Sequence, residues 1–274
     1  MTIRMKEEKG SASFHRGFGL VRSAVSSVLA LVNEGKNRKE VKEELALGPD
    51  QFTAAVNYCE RSGLINQAGI SDFGQAALAN DPTLANLTTQ WVMHYYLSAP
   101  RRYSPNYWAF LTTDFLGTPE VLSTTALGKV VVSFAKETSG QELKERTGET
   151  GATGFVSTYA QEEGLGALGF LEAKGGGQYQ VTSPQPLPAA AFACILADYW
   201  PILAPQGEAT VELAAITRGE LAQVLHQSEA QLNALLAELA TPSAGLIQRQ
   251  RLYTPYTVTR QRLDAATAWD QLYA

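Results

Sequence analysis

A recurrence along the chain constrains its fold more than any other feature. Tyr58-Cys59-Glu60-Arg61-Ser62-Gly63-Leu64-Ile65 and Tyr159-Ala160-Gln161-Glu162-Glu163-Gly164-Leu165 set a tyrosine and a Gly-Leu pair at the same spacing, each at the end of a helical pattern. A third helical pattern, ending near Leu239, runs into Ser243-Ala244-Gly245-Leu246-Ile247. After each Gly-Leu comes a short stretch that reads as strand, turn, strand. A repeated supersecondary unit cannot bury its apolar face alone and stacks on its neighbours, so the chain is expected to be an assembly of similar modules. Its 274 residues suffice for one large domain or two to three small ones.

In the first unit, Val21, Val25, Val28, Leu29 and Val32 recur at helical spacing and Gly35 stops the helix. Asn37 is placed to cap a short helix carrying Val41 and Leu45, Gly48 turns the chain, and Pro49 opens a helix with Phe52, Ala55, Val56 and Cys59 on its apolar face. Two short helices joined by a glycine turn make the helix-turn-helix pattern. Asn66 to Gly74 then reads as a small hairpin leading into a helix through Leu78. The second unit has a helix with Val130, Val131 and Phe134, a short helix opened at Ser139-Gly140 around Leu143, and after Gly148 a helix from Thr150 to Glu163. A hairpin with a Gly175-Gly176-Gly177 tip follows. In the third, Thr217 is read as capping a helix with Leu221 and Leu225, Ser228 as capping one with Leu232 to Leu239, and 247–258 as a hairpin.

The expected fold class is therefore mainly α with small β-hairpins: tandem winged helix-turn-helix-like units around a helical, aromatic-rich segment. The expected boundaries are 1–82 for the first unit with its basic N-terminus, 83–126 for the aromatic connector, 127–206 for the second unit plus a helix, and 207–274 for the third. The connector holds Trp91, Tyr95, Tyr96, Tyr103, Tyr107, Trp108, Phe110 and Phe115. Such residues could stack on bases, but a packed aromatic core is the favoured reading because of the area they bury. Prolines 184, 186 and 188 and Pro201 with Pro205 flank a helix expected at Ala189–Trp200.

A net charge of −5 argues against nonspecific coating of nucleic acid, which needs clustered Lys and Arg. The average conceals an asymmetry. Residues 1–42 hold nine basic residues, among them Arg4, Lys6 and Lys9, against four acidic ones, and the remainder holds thirteen against twenty-three. No apolar run reaches the roughly 18 residues of a membrane span and no secretory leader is seen, so a soluble, cytoplasmic protein with no membrane partner is expected. Cys59 and Cys194 lack metal or redox spacing and read as buried thiols.

Catalytic signatures are missing from the sequence. There is no phosphate loop with its lysine, no nucleophile elbow, and no His/Cys/carboxylate spacing around His15, His94 and His226. The chain is expected not to be an enzyme and to need no cofactor or metal. What remains is nucleic-acid recognition. The exposed face of the helix opened by Pro49 would present Gln51, Thr53, Asn57 and Arg61 to base edges, with Lys36, Arg38, Lys39 and Lys42 on phosphates. Arg249 and Arg251 alternate on the last hairpin and could grip a phosphate or form an exposed strand face.

Phe14-His15-Arg16-Gly17-Phe18-Gly19-Leu20 after Ser13, the Tyr58–Leu64 unit, Asp81-Pro82-Thr83-Leu84, Trp91-Val92-Met93-His94-Tyr95, Tyr107-Trp108, the Gly164-Leu165 region and Leu187-Pro188 carry a resemblance. In order, over most of the chain, they resemble a prokaryotic family known as domain of unknown function four thousand and seven. Phe18-Gly19 stands where the family has a Trp-Leu-Lys run, so no role of that lysine carries over. The resemblance implies an accessory protein encoded beside DNA phosphorothioation and related phage-defence genes, and it supplies no catalytic residues. The expected function is thus a noncatalytic DNA-binding or DNA-sensing subunit of such a system. Its partners would be double-stranded DNA and, at the acidic later units, proteins of a modification or defence complex or a second copy of the chain. An adaptor using the modules only for protein docking, and a transcriptional regulator, are the alternatives.

Overall fold

The structure is a computed structural model that describes residues 14–99, 106–117, 120–264, 268–269 and 271–273. Arg4, Lys6, Lys9, Ser13 and Tyr103 lie outside the described residues. The chain divides into two compact bodies, 1–185 and 186–274.

The first body opens with α1 (Arg22–Asn33), α2 (Arg38–Glu44) and α3 (Pro49–Arg61). Val21 is not part of α1: it is the residue before the first turn and is exposed. Asn37 caps α2 in a full capping box, its side chain accepting from Lys39 N (3.0 Å) while Glu40 accepts from Asn37 N (2.8 Å). Pro49 opens α3, where its missing N–H costs nothing. The strands β1 (Ile65–Asn66) and β2 (Gly69–Ile70) pair antiparallel and lead into α4 (Asp72–Asn80), capped by Ser71.

Next come α5 (Leu87–Ser98) and α6 (Asn106–Phe115). Ten of the twelve residues of α5 are buried, among them the polar Thr89, Gln90, His94 and Ser98, so the helix is enclosed on every side and forms the centre of this body. Trp91, Tyr95, Tyr96, Tyr107 and Trp108 are buried and Phe110 and Phe115 half-buried, so the described aromatic residues pack into core. The rings meet edge to face, Trp91 on Phe170 (5.7 Å), Trp108 on Phe155 (5.0 Å) and Phe155 on Tyr159 (5.1 Å), as their quadrupoles favour.

The body is completed by β3 (Val121–Ser123), α7 (Thr124–Ser139), α8 (Glu145–Ala160), a 3-10 turn at Gly166–Leu168, β4 (Leu171–Gly175) and β5 (Gln178–Val181). The short helix expected around Leu143 is absent. Gly140, in the left-handed region at φ 67°, ends α7 with its N–H on Lys136 O, and Gln141 N–H returns to Ala135 O, so 140–144 is an irregular link without helix. From there α8 starts earlier than expected and runs through Gly148, Gly151 and Gly154. These glycines exist for contact. A Cβ on Gly148 would lie 2.2 Å from the Gly128 carbonyl oxygen of α7, and one on Gly154 would lie 2.3 Å from the His15 ring.

The second body contains α9 (Ala189–Leu203), β6 (Thr210–Glu212), α10 (Leu213–Thr217), α11 (Glu220–Leu225), α12 (Glu229–Leu239), β7 (Ile247–Gln250) and β8 (Thr257–Arg260). Helix α9 continues one turn past its expected end, through Pro201. Thr217 does not cap α11: its hydroxyl donates back to Leu213 O within α10 (3.2 Å), and Gly219 takes the cap position. Ser228 caps α12 as expected.

Each body holds a three-stranded antiparallel sheet of one topology, β3-β5-β4 and β6-β8-β7, in which the strand preceding the helices pairs with the last strand. The Gly-Leu repeat explains how each hairpin leaves its helix. Leu64, Leu165 and Leu246 are buried, and their N–H groups return to Cys59 O, Thr158 O and Leu239 O in the final helical turn. Gly63 takes φ +79°, and a Cβ there would lie 2.3 Å from the Tyr96 ring. Cys59 and Cys194 are free and buried. No helix among the described residues is long and apolar enough to cross a membrane.

Candidate nucleic-acid interface

Of the residues expected to contact DNA in the first body, the basic ones on and before α2 divide by their partners. Lys36 is held between carboxylates, 2.9 Å from Glu34 and closer still to Glu44, and those two groups keep its ammonium pKa above the usual lysine range. Arg38 is exposed with its guanidinium 5.5 Å from the Phe52 ring centroid. Lys39 is exposed with only a long 3.8 Å ion pair to Glu43, and Lys42 is exposed on the same helix.

The face expected on α3 is not one open surface. Gln51 is exposed, and its Oε1 accepts from Gly48 N (3.2 Å); Thr53 is half-buried, its hydroxyl donating to Pro49 O (2.9 Å). Asn57 and Arg61 turn the other way. Asn57 donates its amide to Phe14 O, and the Arg61 guanidinium sits 4.9 Å over the Phe14 ring. The segment from Phe14 to Leu20 therefore lies across the C-terminal half of α3, with Phe14, His15 and Leu20 buried and Tyr58 Oη donating to Phe18 O (2.9 Å). Periodicity places these four residues on one helix but carries no information about a segment forty residues away in sequence. Beside Arg61, burial raises the Glu60 pKa while Arg38 and Arg61 pull it down.

In the second body the hairpin β7–β8 is more strongly cationic than the sequence expectation of two arginines. Between 247 and 262 stand Arg249, Arg251, Arg260 and Arg262 with no acidic residue, whereas the rest of 186–274 has Arg218 as its sole basic residue against eight acidic ones. Arg260 and Arg262 were missed in the sequence reading, although the acid-free run itself was a usable signal. Arg249 is anchored on α12, its two terminal nitrogens donating to Asn233 O (3.2 Å) and Asn233 Oδ1 (3.1 Å). Burial and, after it, the nearby Arg251 push its pKa below the ordinary arginine value. Arg251 is exposed and lies 5.9 Å from the Tyr256 ring centroid, Arg260 lies 5.9 Å from that of Trp200, and Arg262 donates to Ala244 O (3.0 Å). An open cavity of about 550 Å³ runs between the end of α12 and β7, lined by Ala237, Ala240, Ile247, Gln248, Arg249, Arg251 and Leu252.

Among the described residues no three His, Cys, Asp or Glu side chains come together as metal ligands. The three histidines are dispersed. His15 and His94 are core residues, His94 Nδ1 lying 2.8 Å from Tyr159 Oη, and His226 caps the C-terminal end of α11 in a left-handed conformation.

Two solved structures share this fold. A crystal structure of SspB and one of magnesium-bound SspB align with TM-scores of 0.74 and 0.73, each at 17% identity over 95% of this chain and 86% of SspB. No curated protein matches the sequence. The family described as protein of unknown function, DUF4007, matches residues 52–272, most of the chain, and the protein belongs to that family.

Proposed function

We propose that this protein is a noncatalytic DNA-binding or DNA-sensing subunit that works with the protein partners of a bacterial DNA-modification or phage-defence system. The observation that carries the reading is the acid-free arginine hairpin, Arg249 to Arg262, in a body that is otherwise acidic. Segregated positive charge marks a phosphate-contacting surface, because each neutralised phosphate releases counterions. Two further features support it. The strand, helices and hairpin of each three-stranded sheet read as winged helix-turn-helix units, and α2 adds exposed Arg38, Lys39 and Lys42 at the first helix-turn-helix. Gln51 and Thr53, at the accessible end of α3, are the residues for base edges, with Asn57 and Arg61 holding the helix in place. The link to phosphorothioation rests on the family resemblance.

The test is a titration with plain and phosphorothioate-modified duplexes at two salt concentrations. Affinity is expected to fall steeply with salt, and Arg251→Ala or the pair Lys39→Ala and Lys42→Ala should each weaken binding and lower the salt slope by about 1 per lost phosphate contact. A preference for the modified duplex would assign sensing; salt-insensitive or absent binding would overturn the reading in favour of a docking adaptor. Supercoiled plasmid incubated with the protein and magnesium is expected to stay intact, and a nicked circle would remove the noncatalytic part.

A further inference from the structure

The tip of the arginine hairpin has a composition that phosphate contact alone does not account for. Leu252 is 85% exposed and Tyr253 75% exposed, and Tyr256 is exposed four residues beyond Leu252. Large apolar side chains this exposed, grouped on one short loop, mark a contact surface. The tip is also stiffened. In the amide orientation that satisfies both groups, Gln250 donates to Tyr253 O (3.0 Å) and accepts from Tyr253 N (3.1 Å), so the backbone presenting the two side chains is clamped. Arg251, beside the apolar pair, lies against Tyr256, and the open groove beside β7 is lined by Ala237 and Ala240 together with Arg249 and Arg251.

Exposed tyrosine rings and a leucine beside guanidinium groups, on a run of sequence without carboxylates, match a ligand that pairs flat unsaturated faces with negative charge. Nucleic acid has that chemistry, since every base offers a face for stacking and every linkage an anion. An intact duplex hides its base faces; a step with an unpaired base exposes one at the least cost in unstacking. Resting on the DNA-binding reading above, we infer that Leu252 and Tyr253 form a stacking wedge that selects duplex DNA containing an unpaired or unstacked base. Arg251 holds the adjoining phosphate, and the cavity of about 550 Å³ beside β7 receives the displaced base.

The experiment compares a fully paired short duplex with the same duplex carrying one unpaired 2-aminopurine, using the whole chain. The wild type is expected to bind the bulged duplex about tenfold more tightly, the effect of stacking one base, and to quench the 2-aminopurine fluorescence. The Leu252→Ser, Tyr253→Ser double variant should lose the preference and the quenching while keeping its salt-dependent affinity for the paired duplex. Tyr253→Phe should behave as wild type, and matching melting temperatures verify that the variants fold. Equal wild-type affinity for the two duplexes, or a preference that survives in the double variant, overturns the wedge while leaving DNA binding intact. Failure of the wild type to bind either duplex overturns the DNA reading itself and the wedge with it.

Discussion

His15 shows how one residue can tie folding to pH. Its ring is buried among Phe14, Tyr58, Tyr107 and Trp108, its Nδ1 accepts from Gly17 N (3.0 Å), and Gly154 leaves room for it. Burial pushes its pKa down from 6.5 to about 4. Above pH 6.5 both folded and unfolded chains carry it neutral and it has no effect on stability. As pH falls, the unfolded chain takes up the proton first, so stability declines below 6.5 and the loss is complete below about pH 4, at about 3 kcal/mol. Denaturant unfolding across that range should record the decline, and NMR of the imidazole should find His15 neutral at pH 5; a resonance titrating near 6.5 would contradict its burial. The same residue marks a limit of sequence reading. His15 was visible as an isolated histidine, but nothing local to it disclosed that its segment would lie across α3, with Phe14 engaging Asn57 and Arg61.

Among elements, glycine spacing in α8 opposes two effects of known size. Replacing a helical glycine by alanine gains about 1 kcal/mol of propensity, while forcing a methyl into a filled space costs about 1–3 kcal/mol. At Gly148 the obstacle is the Gly128 backbone, which cannot swing aside, so the packing cost prevails. Gly148→Ala is expected to destabilise the protein by up to about 2 kcal/mol net in thermal or denaturant melts, whereas a rise in stability would mean that α7 and α8 do not touch there. Elements with strong local signals were legible: Asn37 and Ser228 as caps, Pro49 as a helix start, the glycine tip between β4 and β5. The strands β3 and β6 were not, because three residues carry too little alternation to be told from a linker. Within the candidate interface, Arg249 and Arg251 were legible from their alternation, but the anchoring of Arg249 on Asn233 depends on α12 folding back and had no local trace.

For the whole molecule, the distribution of charge matters more than its sum. A chain with a pI near 5.3 should be retained by an anion exchanger. With four arginines and no acidic residue on one hairpin it is also expected to bind heparin at neutral pH and low salt, and to elute as salt screens the contact. Arg251→Glu should shift that elution to lower salt with no change in melting temperature; unchanged retention would place the cationic surface elsewhere.

The shared sheet topology also sets an order of events during synthesis. In both sheets the strand made last, β5 or β8, is the middle one, and it supplies every backbone partner of the other two. A nascent chain that has reached Gln250 owns β6 and β7 but cannot pair them. Until β8 is free to pair, two strand edges stay open, one bearing the arginines, as β3 and β4 do until β5 follows them, and such unpaired edges are where a folding chain is open to wrong pairing.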